Sequence, residues 1–482
     1  MTSRFFNHRL EQKWESNELA SSADVQRHDG ALHPRDDLSG WAKLTIVLII
    51  GYTAMGKSFA YIGLPWISIY IGEVALAVFL LFGPKTSRGR WLGLSRRVPQ
   101  LKRFEWLLLL FLLDGLLAAS RGVLKGYPAF TALRDTAFNY YPLFVLLGVW
   151  VGLRDKRFLG KLPRVLALWA GCYGLAWVLL LNRLPWAIPG TDGRVGLFLG
   201  PYGGSAVALL GLLAFEPRLQ SVWHLILLNV FVLLGSTSRA DWVGLAVGVF
   251  VFALLMKSFK RLLMVGGLFL VLFGMMYATN LSIDAPTGRG AKLGARTSAD
   301  EILARGIAPV NDNLAGRLAP SQDVDFAENT EEFRLIWWAR IWEEVHNQMS
   351  STLLGFGYGY PVGDLNPDID PGTFIQTPHS DFFYALTFSG WLGVVIFFLL
   401  QLELFRLLRR SFMFTGQPFG LMCWAALLTM SFFEDFFEAP FGAIPFFLLV
   451  GAAIAPALLA TRTKISGGMP APVSLTPKVR TV

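Results

Sequence analysis

Charged residues are scarce in this chain, since Asp, Glu, Lys and Arg make up only 16% of its 482 residues. Soluble domains carry about 25% charged residues, so this deficit excludes an ordinary soluble globular domain. Hydrophobic residues make up 54% of the chain and aromatic residues 14%. This balance favours an integral membrane protein.

Several common functional motifs are also missing. The only two cysteines, Cys172 and Cys423, lie in apolar runs, where we expect small buried hydrophobes and no disulfide or zinc site. No cluster of residues has metal-ligand spacing, so we expect neither a metal nor another cofactor. The net charge is +9, but no basic arm or nucleic-acid motif accompanies it, which argues against a nucleic-acid partner. Residues 1–41 lack an apolar run, which predicts a cytoplasmic tail and no cleaved signal peptide.

Apolar runs long enough to cross a bilayer recur along the rest of the chain. They predict an all-α polytopic membrane protein with about twelve transmembrane helices. The expected domains are a tail at 1–41, a bundle of about nine helices at 42–279, an outer loop at 280–381, about three helices at 382–460 and a tail at 461–482. The predicted spans lie near residues 42–60, 62–82, 104–120, 137–153, 165–182, 195–215, 222–237, 241–256, 262–279, 382–405, 418–435 and 442–460.

Lysine and arginine are concentrated in alternate connections between these spans. The basic connections are 83–103, 154–164, 257–261 and 406–410. Because cytoplasmic connections carry an excess of Lys and Arg, this pattern predicts that both termini are cytoplasmic. The long loop at 280–381 then lies on the outer side of the membrane.

A set of basic residues breaks this rule by lying at span ends on the predicted outer side. Arg239 stands in a very short turn, 236–241, so it cannot move far from the membrane boundary. Charges at such a depth are costly and face a polar interior, unless they snorkel to lipid phosphates or pair with local acids. Since guanidinium groups suit phosphate oxygens, we expect a shared anionic ligand. The residues are Arg121, Lys125, Arg134, Arg183, Arg194 and Arg239.

The outer loop divides into two parts. Residues 280–328 contain few large apolar residues, which predicts an irregular segment. Asn329 followed by Glu332 resembles a capping box, so we expect a helix to begin there. That helix is predicted to be amphipathic and interfacial, and to direct Arg334 and Arg340 towards one outer cavity. Its apolar residues at helical spacing are Phe333, Trp337, Ile341 and Val345.

Three motifs in order resemble those of the O-antigen ligase and polymerase superfamily. The run 379–386 followed by 389–393 resembles the signature H-N-x-x-L…G-x-x-G, with Ser380 in place of the usual asparagine. Arg334 and Trp338, followed by 354–357, resemble R-x-x-x-W…G-x-G. The turn Ser236-Thr237-Ser238-Arg239-Ala240 is similar to the S-x-S-R-x turn of the superfamily.

This resemblance implies a GT-C-like enzyme of the bacterial inner membrane, with the large outer loop in the periplasm. Such an enzyme transfers a glycan from undecaprenyl pyrophosphate to an acceptor hydroxyl at the periplasmic face. The ligases attach O-antigen to lipid A-core, whereas the polymerases extend the repeat-unit chain. The reaction implied is inverting and independent of metal ions.

The residues themselves fit this chemistry. A pyrophosphate leaving group can be stabilised by cations alone, and we assign that role to Arg239 and Arg334, followed by Arg194 and Arg121. The acceptor hydroxyl needs a base, and His379 is the best candidate because imidazole is partly neutral near pH 7. The expected partners are the lipid-linked donor, the glycan or lipid A-core acceptor and membrane lipids.

Alternative functions remain. An O-antigen or exopolysaccharide polymerase shares the motifs of a ligase, and we favour the ligase only slightly. A twelve-span secondary transporter is disfavoured, since its halves usually resemble each other and here the long connection is late and on the outer side. A non-catalytic scaffold of a polysaccharide export complex is the third alternative.

Overall fold

The structure, a computed structural model, describes residues 38–64, 69–83, 101–155, 157–181, 184, 186, 198, 203–236, 238–280, 282–284, 296–307, 317, 322–366, 377–434 and 436–465. This part of the chain is almost entirely helical, and 8 of its helices are long and apolar enough to cross a membrane. The predicted all-α polytopic fold is therefore confirmed.

Nine apolar helices precede the outer segment within the described ranges. Each predicted span in this part of the chain contains one of them. In order they are α1 (Gly40–Met55), α2 (Ile71–Phe82), α3 (Lys102–Leu124), α4 (Ala129–Arg154), α5 (Phe158–Leu179), α6 (Gly204–Phe215), α7 (Leu219–Ser236), α8 (Arg239–Met256) and α9 (Phe259–Ala278).

The outer segment and the helices after it complete the fold. The outer segment contains α10 (Ala299–Ile307), α11 (Gln322–His346) and α12 (Met349–Leu354), and the final helices are α13 (Asp381–Thr415), α14 (Phe419–Met430) and α15 (Pro440–Ile465). Four of the apolar helices, α1, α2, α6 and α14, have 12 to 16 residues. A helix of twelve residues is about 18 Å long, shorter than a hydrocarbon core of about 30 Å, so the count of twelve spans stays a prediction.

The remaining regular elements are short. A four-residue helix, Lys57–Ala60, follows α1. Strand Gly63–Leu64 pairs with Ile69–Tyr70, and Ile283–Asp284 pairs with Arg296–Thr297, both in antiparallel fashion. Pairs of two residues each add little stability by themselves.

The core forms where glycines let helix backbones approach each other. A Cβ atom on Gly148 of α4 would lie 2.3 Å from the Leu448 carbonyl oxygen of α15, and one on Gly451 would lie 2.3 Å from the Val145 oxygen. Small residues at such positions drive helix association in membranes, where burial of apolar surface drives little. Gly244 of α8 likewise lets Met430 of α14 approach, since a Cβ atom on Gly244 would lie 2.7 Å from Met430 Cγ. This second contact fixes the start of α8 beside the end of α14.

Three local expectations are corrected by the structure. Helix α11 begins at Gln322, so Asn329 is a residue within the helix and not its cap. The pattern misled because Asn lowers helix stability by only a few tenths of a kcal/mol and is tolerated inside helices. Helix α10 also lies within 280–328, where an irregular segment was expected. Cys423 is buried as predicted, but Cys172 is exposed on the outside of α5.

Candidate active site

His379 lies immediately before the first turn of α13, in a backbone conformation that is uncommon for its residue type. Its φ is 51°, in the left-handed region that costs about 1–2 kcal/mol for a residue with a Cβ atom. Its half-buried ring stands edge-on to the buried ring of Trp337, with the ring centroids 6.3 Å apart. Residues held in such conformations cluster at functional sites, which supports the choice of His379.

Helix α11 holds the segment around His379 in position. The indole Nε1 of Trp338 donates a hydrogen bond to the Pro378 carbonyl oxygen at 2.7 Å. The same indole stacks on Phe383, with a centroid distance of 5.1 Å and an interplanar angle of 15°. The predicted apolar face of α11 is confirmed, since Trp337, Ile341 and Val345 are fully buried.

Arg334 connects α11 to the turn between α14 and α15. Its Nη1 donates to the Phe433 carbonyl oxygen at 2.8 Å, and its Nη2 lies 3.7 Å from Glu434 Oε1. The side chain is only 15% exposed. Its Nε has no hydrogen-bond partner among the residues that the structure describes. One donor of this guanidinium is therefore not used by a described residue.

The same turn, residues 431–434, also fixes the start of α13. The backbone N–H of Asp381 donates to the Ser431 carbonyl oxygen at 2.9 Å. In return, both carboxylate oxygens of Asp381 accept from the Phe437 N–H, at 3.1 and 2.9 Å. Because Asp381 is two residues from His379, this turn brings Arg334 and His379 to the same end of the helix bundle.

Arg239 is the first residue of α8, and the start of this helix lies at the same end of the bundle. The helix is capped by Ser238, whose hydroxyl oxygen accepts from the Asp241 N–H at 3.4 Å. The Asp241 carboxylate accepts from the backbone N–H of Gly203 and interacts electrostatically with Glu434. Glu434 is also the partner of Arg334, so the start of α8 lies next to the turn that holds Arg334.

The other predicted site residues lie elsewhere or outside the described residues. Arg121 lies in the last turn of α3, beside Lys125, and its Nη1 has no hydrogen-bond partner in the described part of the chain. Burial and the charge of Arg121 lower the pKa of Lys125. Arg340 is largely exposed and pairs with Glu343 at 3.2 Å, so the expectation that it shares a cavity with Arg334 is wrong. Arg194 lies outside the described residues.

The glycine-rich turn at 355–359 enters the bundle, a feature that the sequence interpretation missed. Its N–H groups donate to carbonyl oxygens of α13: Phe356 to Thr387 at 2.7 Å, and Gly357 to Phe388 at 3.0 Å. These carbonyl groups precede a kink in α13 at Gly390, where φ is 64° and ψ is −163°. A kink frees helix carbonyl groups, and the turn supplies the donors that they need.

A buried polar cluster lies beneath this turn. The Tyr358 hydroxyl donates to Asn139 Oδ1, and the Asp114 carboxylate accepts from Ser389 and Asn139. The Gly359 N–H donates to Asp135 Oδ2 at 3.1 Å. Burial raises the pKa of Tyr358 well above its ordinary value, which keeps it a neutral donor. The only sequence signal for this cluster was the presence of polar residues inside apolar spans.

The chemistry available at this end of the bundle is that of cations and an imidazole. Within the described residues, no group of three or more His, Cys, Asp or Glu side chains could hold a metal ion. The carboxylate nearest to Arg334 at this end is that of Glu434. Arginine side chains can bind an anion, and a neutral imidazole can accept a proton.

Part of the chain matches a known protein family. Residues 224–398 match the O-antigen ligase family. The predicted relation to the O-antigen ligase and polymerase superfamily is thereby confirmed. The O-antigen ligase region contains Arg239, Arg334 and His379, whereas Arg121 and Arg194 precede it. No curated protein matches the chain.

The family match and the apolar helices together support a general activity. The protein is a multi-pass membrane protein with a glycosyl-transferring activity of the O-antigen ligase or polymerase type. Lipid-linked glycans and polysaccharides are the substrates that this family implies.

Proposed function

We propose that this protein transfers a glycan from undecaprenyl pyrophosphate to an acceptor hydroxyl, as an O-antigen ligase with lipid A-core as acceptor. The observation that supports the proposal is a set of links to the turn at 431–434. Arg334 contacts this turn directly, Asp381, two residues after His379, donates to it, and Asp241, two residues after Arg239, interacts electrostatically with Glu434. Arg239, Arg334 and His379 fall within the region that matches the O-antigen ligase family.

In this proposal Arg239 and Arg334 bind the pyrophosphate of the donor. Arg334 is already oriented by Phe433 and Glu434, so little reorganisation is needed when negative charge develops on the leaving group. A guanidinium group has five donors, so Arg334 can bind the diphosphate with donors that contact neither Phe433 nor Glu434. Arg121 and Arg194 are further candidates for contacts with the same diphosphate.

His379 acts as the general base. The acceptor oxygen attacks the anomeric carbon from the side opposite the pyrophosphate, while the proton of its hydroxyl moves to the imidazole. The bond between the anomeric carbon and the pyrophosphate oxygen breaks, and its electron pair leaves with the diphosphate. Attack from the opposite side inverts the anomeric configuration, and the step requires no metal ion.

The proposed location is the inner membrane of a bacterium. With the basic connections inside, both termini are cytoplasmic and the loop at 280–381 is periplasmic. The bundle of about nine helices then precedes the loop, and about three helices follow it. The starts of α8 and α13, which carry Arg239 and His379, then face the periplasm, where lipid-linked glycans are used.

The decisive experiment is glycan transfer by the purified protein. The lipid-pyrophosphate glycan is supplied as donor, with lipid A-core in one reaction and a second lipid-linked glycan in another. Transfer to lipid A-core supports the ligase proposal, and transfer only to the second lipid-linked glycan supports the polymerase alternative. Absence of transfer to either acceptor, by a folded and monodisperse protein, contradicts both and favours a transporter or scaffold.

A further inference from the structure

An apolar groove lies between three helices, far from the candidate active site. Each helix contributes one face: Val251 and Leu255 from α8, Phe405 and Phe412 from α13, and Trp424 from α14. The groove has a volume of about 240 Å³. Val251 is twelve residues beyond Arg239, or about 18 Å along α8, so the groove is separate from the arginine and histidine site.

The walls of the groove are fixed by side-chain contacts. The rings of Phe405 and Trp424 are 5.1 Å apart, and Trp424 Nε1 donates to Gln401 Oε1 at 3.2 Å. Most of the lining side chains are half-buried, so the groove is open at the surface of the bundle. A surface groove at this position in a membrane protein faces the acyl chains of lipids.

One lining residue of the groove is a cation, since Arg409 lies in its wall between Phe405 and Phe412 along α13. A second cation, the exposed Lys257, is the C-cap of α8 and lies beyond the lining residue Leu255. Both side chains belong to basic connections between spans. Two neighbouring cations have protein partners: Arg406 pairs with Glu403, and Arg261 donates to the Leu213 carbonyl oxygen. Neither Lys257 nor Arg409 forms an ion pair with a described residue.

We propose that this groove binds an anionic phospholipid, with one acyl chain between α8, α13 and α14 and the phosphate between Lys257 and Arg409. The apolar walls match an acyl chain, and the two cations match a headgroup of net negative charge. A zwitterionic headgroup carries an ammonium group that the same two cations repel. The proposal is independent of the transfer reaction.

Native mass spectrometry tests this proposal. The purified full chain is placed in nanodiscs that contain equal amounts of phosphatidylglycerol and phosphatidylethanolamine. We expect the wild-type protein to retain phosphatidylglycerol preferentially. Arg409→Gln and Lys257→Gln should each lower that preference by about fivefold, the contribution of one basic residue near an anionic lipid surface. Arg410→Gln is the matched control, because Arg410 is adjacent and exposed but does not line the groove.

A second pair of variants tests the apolar part. Val251→Phe places a larger side chain in the groove and should reduce retention of the lipid, whereas Leu254→Phe changes an exposed residue of the same helix outside the groove. If Arg409→Gln and Arg410→Gln lowered the preference for phosphatidylglycerol equally, the preference would come from the general positive charge of the surface, and the proposal would be overturned. Equal retention by Val251→Phe and Leu254→Phe would overturn it as well.

Discussion

Gly390 of α13 faces Gly355 of the glycine-rich turn so closely that neither position has room for a side chain. A Cβ atom on Gly390 would lie 2.5 Å from the Gly355 nitrogen, and one on Gly355 would lie 2.4 Å from the Phe388 carbonyl carbon. The two backbones are therefore in direct contact at the kink of α13. His379 lies eleven residues before Gly390, so the kink helps to set its position.

Gly390→Ala should destabilise the protein. The φ of 64° and ψ of −163° belong to a region almost restricted to glycine, where another residue costs about 1–3 kcal/mol before any steric clash is counted. We expect a clear fall in Tm of the purified protein and a parallel loss of transfer activity. Gly274→Ala in α9 is the control, because a Cβ atom there meets nothing within 4 Å. Equal Tm values for the two variants would contradict the role of the kink.

Tyr358→Phe should also lower the free energy of unfolding. It removes the hydroxyl that donates to Asn139 Oδ1 and leaves that buried oxygen with one partner fewer. A buried polar group that loses its partner costs about 1–3 kcal/mol. The measurement is the loss of stability to heat or denaturant. Tyr277→Phe, at a residue that is 63% exposed, should have no measurable effect.

Arg239→Ala should weaken binding of the lipid-pyrophosphate donor. A hydrogen bond to a charged group contributes about 1.5–3 kcal/mol, which corresponds to about a tenfold to hundredfold change in Kd. Isothermal titration or a filter assay with the lipid pyrophosphate measures this directly. Arg340→Ala removes the same charge from an exposed residue and should leave Kd unchanged. A normal Kd for Arg239→Ala would exclude Arg239 from the donor site.

His379→Ala should lower turnover by about 10²–10⁴-fold, the usual contribution of a general base. Donor affinity and insertion into the membrane should change little, because the imidazole is assigned to the acceptor hydroxyl. His346→Ala is the matched control, since His346 is exposed and contacts Trp342 and Trp391. A turnover equal to that of the wild-type protein would remove His379 from the mechanism.

The sequence predicted the positions of the helices well because apolar runs in a membrane protein are long and local. Each predicted span contains a helix, and the apolar face of α11 follows from the spacing of Trp337, Ile341 and Val345. The start of α11 was wrong because a capping pattern such as Asn329 and Glu332 is also compatible with a helix interior.

What could not be predicted depends on contacts between distant parts of the chain. The partners of Arg334 are Phe433 and Glu434, about a hundred positions away, and no local pattern distinguishes them from other residues. The same holds for Tyr358, whose N–H donates to the Ala118 carbonyl oxygen. The glycines at 355–359 predicted a turn, but its insertion between α3 and α13 depends on hydrogen bonds to distant residues.

The hydrogen bonds of residues 355–359 with α3 and α13 also define where the outer segment could be exchanged between related enzymes. A chimaera with a single junction after residue 366 would take the glycine-rich turn from one parent and the Thr387 and Phe388 carbonyl groups from the other. Junctions in α9 and before Phe333 would instead leave the turn and its partners in one parent. Acceptor preference can therefore be transplanted, if the stretch between those junctions determines it, without disturbing the framework around His379.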